Sequence, residues 1–199
     1  MNIQPEDSYL SSLIAQQNQS RITRAQQIAT RLLEYGVQDA YTKACEIAGH
    51  ERVGRPHFAQ LLINEGIVGD MKSAFKRFLG FRCVAYVPTA WLDIDTAVGG
   101  IIRSGGQAVI AHPLKYTLTR SKLHELITAF KMAGGVSIEV ISGEMTQAQV
   151  NEASDLCRRF ELLASTGSDY HGDSMSRIAL GQQRSLPVNC TPIWNQWNI

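Results

Sequence analysis

Leu162-Leu163-Ala164-Ser165-Thr166-Gly167-Ser168-Asp169-Tyr170-His171-Gly172 is a short apolar run that gives way at once to an irregular, Gly-flanked segment of polar side chains. The order is that of a buried strand followed by a loop. It occurs twice more upstream. Gln107 to Ala111 is an apolar run that ends at His112-Pro113, and Val136 to Ile141 is another that ends at Ser142, with Glu139 near its close. Helical segments separate the three runs: Asp93 to about Ser104, then a helix through Ala133 with Ser121 as its expected cap, then Thr146 to Phe160. Gly105-Gly106 and Gly134-Gly135 stop the first two helices. A repeated order of helix, glycine, strand and polar loop predicts an α/β fold, with parallel strands in one sheet or in part of a (β/α) barrel. The three C-terminal strand ends should then bring His112, Glu139 and Asp169 to one rim.

The first half of the chain reads differently. Leu10, Leu13 and Ile14, then Ile22, Ala25, Ile28, Ala29, Leu32 and Leu33, recur at three- and four-residue spacing up to Gly36, with polar Gln16 to Arg24 between the two groups. Arg21, Arg24 and Arg31 fall on one helix face, which is either solvated or in contact with phosphates. Val37 to Ala48 is a second helix and Arg55-Pro56-His57 opens a third, with Pro56 at the tolerated first-turn position. Asp70 caps a fourth, from Met71 to Leu79. Residues 1–80 are therefore expected to form a helical lobe and residues 81–199 the α/β part, beginning with an extended run from Cys83 to Val87.

The 199 residues suffice for one substantial core, or one core with a small added lobe. A net charge of +1, from 19 basic and 18 acidic residues, gives no bulk electrostatic grip on nucleic acid or an anionic membrane. Cys45, Cys83, Cys157 and Cys190 are widely spaced, which suggests neither a zinc ribbon nor a disulfide framework and fits the cytoplasm. No apolar run approaches a signal or transmembrane span. Asp169 and His171, two apart in an irregular segment, can turn toward one point as oxygen and nitrogen metal ligands do, and His112 can join them from a neighbouring strand end. The alternative is a solvated turn with hydrogen-bonded histidines. His50 and His124 have no partners in the sequence and are read as surface residues.

Taken in order, Gly54-Arg55-Pro56-His57-Phe58-Ala59, Ala74-Phe75 with Leu79-Gly80, Ala85-Tyr86-Val87-Pro88, Ala111-His112-Pro113, Ile138-Glu139-Val140 and Gly167-Ser168-Asp169-Tyr170-His171 resemble the PHP (polymerase and histidinol phosphatase) superfamily. Within it, the similarity is to the TrpH/YciV-like metal-dependent phosphoesterases, and it runs the length of the chain. The resemblance implies a distorted (β/α) barrel with a helical insertion, which corresponds to the lobe before Phe81. It also implies a cluster of divalent metal ions (manganese, zinc, magnesium or iron) at the strand C-termini. It further implies hydrolysis of phosphate esters, either the phosphate of a 3′,5′-bisphosphonucleotide or the 5′ end of short RNA. By position, His112, Asp169 and His171 correspond to metal ligands, and Arg55 and His57 to a segment facing the substrate phosphate. Arg55 would clamp a phosphate through its planar fork, and His57 would donate to a phosphate oxygen or the leaving group. Glu139 is expected near the substrate or behind a ligand.

Family members begin with an H-x-H strand end, followed by an Asp, a T-D-H segment, a Glu and a further His. No such segments occur here, and Asn2-Ile3 resembles the residues that follow them. The chain is accordingly read as an N-terminally truncated member, expected to bind metal weakly and to self-associate through an incomplete barrel. The competing expectation is a non-catalytic remnant that only binds nucleotide or merely folds. Metal content and turnover discriminate between the two.

Overall fold

The computed structural model describes residues 3–172 and 176–197. They form two compact units: residues 11–92 make a helical unit, and residues 1–10 with 93–199 make a sheet unit.

The helical unit contains most of α1 (Ser8–Leu33), then α2 (Ala40–Ala48), α3 (Arg55–Asn64) and α4 (Met71–Ala74). The polar Gln16 to Arg24 stretch does not interrupt α1, because its Gln and Arg residues are good helix formers and it contains no Gly or Pro. Asp7 accepts from the Leu10 backbone N at 2.7 Å and caps its start. Asp70 caps α4 by accepting from the Ser73 N at 2.6 Å. The helix expected to reach Leu79 does so through a π-helical turn, Phe75–Leu79. The turn ends where the Gly80 N donates to Phe75 O at 2.7 Å, and a Cβ at Gly80 would lie 2.5 Å from that same oxygen. Only glycine fits there. Ile28, Leu32, Phe58, Leu62 and Leu79 are fully buried at the centre of this unit.

Cys83 to Val87 is not a strand. It is a run of turns and irregular backbone whose Ala85 and Val87 are buried in the helical core, because the segment finds side-chain contacts there and no partner strand.

In the sheet unit, β1 (Val109–Ile110), β2 (Ser137–Ser142) and β3 (Leu163–Gly167) pair in parallel in the order β1-β2-β3. The connecting helices α5 (Ile94–Arg103), α6 (Arg120–Met132) and α7 (Gln147–Arg159) supply the crossovers that parallel pairing requires. Asp93 caps α5 through the Thr96 N at 2.7 Å, and Thr146 with Gln149 forms a capping box at α7. The α6 cap is Thr119, not Ser121, since it is the Thr119 hydroxyl that the Lys122 N reaches, whereas Ser121 donates to Glu125 from inside the first turn. Five of the six β2 residues are buried, as expected for a strand covered on both faces. The register shifts between Glu139 and Ile141, so that Glu139 pairs with Ser165 and Ile141 with Thr166. Such a bulge re-aims nearby side chains. Ile127, Ile138, Val140, Ala153, Ala164 and Ile193 lie at the centre of the core. No described helix is long and apolar enough to cross a membrane.

Candidate active site at the strand ends

Parallel pairing puts the C-terminal ends of the three strands on one rim, where loops of differing sequence can be carried by a rigid scaffold. Two non-glycine residues on this rim adopt the left-handed region, His112 (φ 32°) just after β1 and Asp169 (φ 48°) just after β3. Such conformations cost about 1–3 kcal/mol each and persist where the surroundings enforce them.

At His112 the enforcing group is visible. The Glu139 Oε2 accepts from the His112 backbone N at 2.7 Å, which ties the end of β1 to β2. The other carboxylate oxygen lies where a Cβ on Gly167 would be, so the glycine in β3 leaves the space that Glu139 occupies. Glu139, expected near the substrate, thus directs its carboxylate to the backbone of its neighbours. The His112 ring packs edge-on against Tyr116 at 5.7 Å, and its buried Nδ1 has no hydrogen-bond partner. The Tyr116 hydroxyl pKa is raised by burial and by the Glu139 charge.

Asp169 receives an ion pair from Lys115, the last residue of a short 3₁₀ turn, Pro113–Lys115, that begins after His112. That contact, with His112 and His171 nearby, holds the Asp169 carboxyl below its ordinary pKa. The His171 Nδ1 lies 2.8 Å from the Asp169 backbone O and 3.7 Å from its Oδ1. Beside them is an open depression of about 430 Å³ whose lining includes Lys115, Glu144, Asp169, His171 and Arg177. Arg177 pairs with Glu144 at 3.0 Å.

Lys115 went unnoticed in the sequence, although it follows His112 by three residues and a 3₁₀ turn places i and i+3 on the same side. Arg177 has no local signal. His50 and His124 are less isolated than the sequence suggested. His50 is exposed but meets the His57 ring at 6.0 Å, and His124 is half-buried against Phe160 at 5.4 Å.

Arg55 and His57 belong to the helical unit. The Gly54 backbone N donates to His57 Nδ1 at 3.0 Å, so this ring caps α3 and carries its proton on Nε2. Burial and the neighbouring His50 lower its pKa. The Arg55 guanidinium stacks 5.6 Å from the Phe75 ring and donates to Leu79 O at 3.4 Å.

The donor types of His112, Asp169 and His171 suit a divalent cation, and the unpartnered His112 Nδ1 is an available ligand. Convergence is incomplete: among the described residues, no three His, Cys, Asp or Glu side chains come together as a metal-holding group. Lys115 supplies the positive charge at Asp169.

No family model matches the chain. It is 33% identical over 197 residues to the 3′,5′-nucleoside bisphosphate phosphatase of Chromobacterium violaceum, covering 98% of this chain and 69% of that protein. It is 34% identical over 197 residues to the 5′-3′ exoribonuclease Rnm of Escherichia coli K12, covering 99% of this chain and 67% of that one. An amidohydrolase from Chromobacterium violaceum, solved with bound sulfate and no metal, superposes with a TM-score of 0.86 at 34% identity, over 97% of this chain and 67% of that structure. Near-complete coverage at this identity, together with the ordered strand-end motifs, places the chain in the PHP-type phosphoesterase family of these bisphosphate phosphatases and 5′-3′ exoribonucleases.

Proposed function

We propose that the chain hydrolyses phosphate esters of nucleotides at the rim of its parallel sheet, acting on a 3′,5′-bisphosphonucleotide or on the 5′ end of short RNA. The observation that carries this reading is the polar depression at the strand ends, lined by an ionised Asp169 with His171, Lys115 and Arg177, with the His112 charge close enough to act on Asp169. In this reading the three strands are part of a distorted (β/α) barrel, and His112 and Asp169 hold a divalent cation, with His171 as a third donor after its ring turns. A bound divalent cation lowers the pKa of water toward neutrality and offsets charge on the phosphoryl oxygens. Glu139 orients His112 through the backbone, and Lys115 is released from Asp169 to meet a phosphate oxygen. Arg55 and His57 take the substrate-phosphate role assigned by the resemblance, with Arg55 acting as a planar clamp and His57 donating from Nε2 as a neutral ring.

The test is phosphate release from a 3′,5′-bisphosphonucleotide and from 5′-phosphorylated short RNA, with and without added Mn²⁺ or chelator. Elemental analysis after dialysis accompanies it. Metal-stimulated, chelator-sensitive turnover that His112→Ala and Asp169→Ala abolish is the expected result, with little metal retained after dialysis. Absence of turnover on both substrates at every metal tested refutes the reading in favour of a folded remnant. Tightly held, stoichiometric metal refutes the incomplete site.

A further inference from the structure

The net charge of +1 conceals an uneven division. Residues 11–92 carry ten Lys and Arg against six Asp and Glu, whereas the sheet unit carries nine against twelve, which gives +4 and −3. Among the described residues of the helical unit there is one ion pair, Lys43 with Glu65 at 2.8 Å. Arg21, Arg24, Arg31, Arg55 and Arg82 therefore have no carboxylate partner.

Their surroundings are carbonyls and aromatic rings. Arg24 Nε donates to Val87 O at 2.9 Å, Arg31 donates to Tyr86 O, and Ser20 donates to Ala90 O at 3.2 Å. The segment from Tyr86 to Ala90 is thereby laid along α1 from Arg31 back to Ser20, a distance of about 16 Å at the helical rise. Rings and guanidinium groups alternate at its two ends. Arg21 lies 5.4 Å over Trp91, Arg82 lies 5.2 Å over Phe81, and Phe81 meets Tyr86 edge-on at 5.5 Å. Phe81 is 72% exposed and Trp91 is 66% exposed, so each ring keeps surface open to a ligand beside its guanidinium. Arg21 and Arg55 add to burial in lowering the Arg24 pKa, which shows that these positive charges lie close enough to repel one another.

We propose that this strip on the helical unit binds single-stranded RNA, with bases stacking on Phe81 and Trp91 and phosphates meeting Arg21 and Arg82. A chain that alternates planar bases with phosphates matches exposed rings interleaved with unpaired guanidinium groups, and every base offers a π-face whatever the sequence. A folded-protein partner would have to bring carboxylates to the same spacing. The proposal rests on the nucleotide-phosphoesterase reading and deepens it: the strip would give the chain an affinity for oligonucleotides that a mononucleotide cannot draw on.

Fluorescence anisotropy of a 3′-labelled oligoadenylate, titrated with the whole chain in chelator to suppress hydrolysis, tests it. Trp91→Ala and Phe81→Ala should each weaken binding about tenfold, the loss of one base-stacking contact. Arg21→Ala should lower the slope of log affinity against log salt by about 0.7, one phosphate contact on a single strand. Met132→Ala, at an exposed position of the sheet unit, should bind as the unsubstituted chain does. Unchanged affinity and salt slope in all three strip variants overturn the proposal. So does sizing in which Phe81→Ala and Trp91→Ala split a dimer without affecting the oligonucleotide, because the strip is then a self-association surface. Turnover of a 3′,5′-bisphosphonucleotide by the unsubstituted chain reports separately on the phosphoesterase reading, so binding without turnover keeps the strip and removes that reading.

Discussion

Gly167→Ala is the substitution that most directly tests how the candidate site is held. A Cβ at this position overlaps the Glu139 Oε1, the end of a flexible side chain that could swing away at little cost if it were free. It is not free, because its Oε2 accepts from the His112 backbone N at 2.7 Å. Relieving the overlap therefore breaks a hydrogen bond to a charged acceptor, worth about 1.5–3 kcal/mol. Replacing a strand glycine with alanine returns about 0.5 kcal/mol through the unfolded chain. The net expectation is a loss of about 1–2.5 kcal/mol. With Glu139→Ala already present, neither overlap nor hydrogen bond remains, and Gly167→Ala becomes neutral or slightly stabilising. The four proteins of this double-mutant cycle can be compared by urea unfolding, with hydrogen exchange at the His112 amide as the local readout. Effects that add to within about 0.5 kcal/mol would show that Gly167, Glu139 and His112 are not coupled as described.

His57 makes a second test. Its folded pKa lies below the ordinary 6.5, because of burial first and His50 second, so the unfolded chain takes up the proton first. Its contribution is complete above pH 6.5 and disappears as the pH falls through the folded value; His50→Ala should raise that value in an NMR titration, and no movement would refute the pairing. Thr146→Ala removes the α7 capping box and should cost about 1 kcal/mol in thermal or urea unfolding, against little effect for Ser121→Ala, which is not a cap. Among the described residues β1 pairs only with β2, so this edge offers unpaired backbone groups. Concentration-dependent sizing should show self-association, and a chain that remains monomeric at high concentration would argue against it.

The alternation of helix, glycine and strand made the parallel sheet legible, because a buried strand between two helices has few other ways to pair. The caps at Asp70, Asp93 and Thr146 were also readable, since each is a side-chain oxygen three residues before the backbone N–H that it accepts from. Cys83 to Val87 misled because a short apolar run carries no period to distinguish a strand from turns that bury alternate side chains in a helical core. At the site, the Asp169 and His171 spacing and the His112 strand end were visible in the sequence. Lys115 was not, as basic side chains are usually read as solvated. Glu139 was found, but its partner was not: a carboxylate that accepts from a backbone amide 27 residues away leaves no mark in the sequence. The basic strip was hidden by averaging, since opposite charge excesses in the two units cancel in the total.

The left-handed backbone at His112 and Asp169 has a consequence for how this protein drifts under selection. Glycine or asparagine would sit there more comfortably than histidine or aspartate, so at both positions the residue the backbone prefers is not the one the proposed chemistry needs. A screen for heat resistance alone would therefore be expected to enrich changes at positions 112 and 169, trading the proposed ligand side chains for comfort of the main chain. A lineage that retains His and Asp at both has been held there by something other than folding.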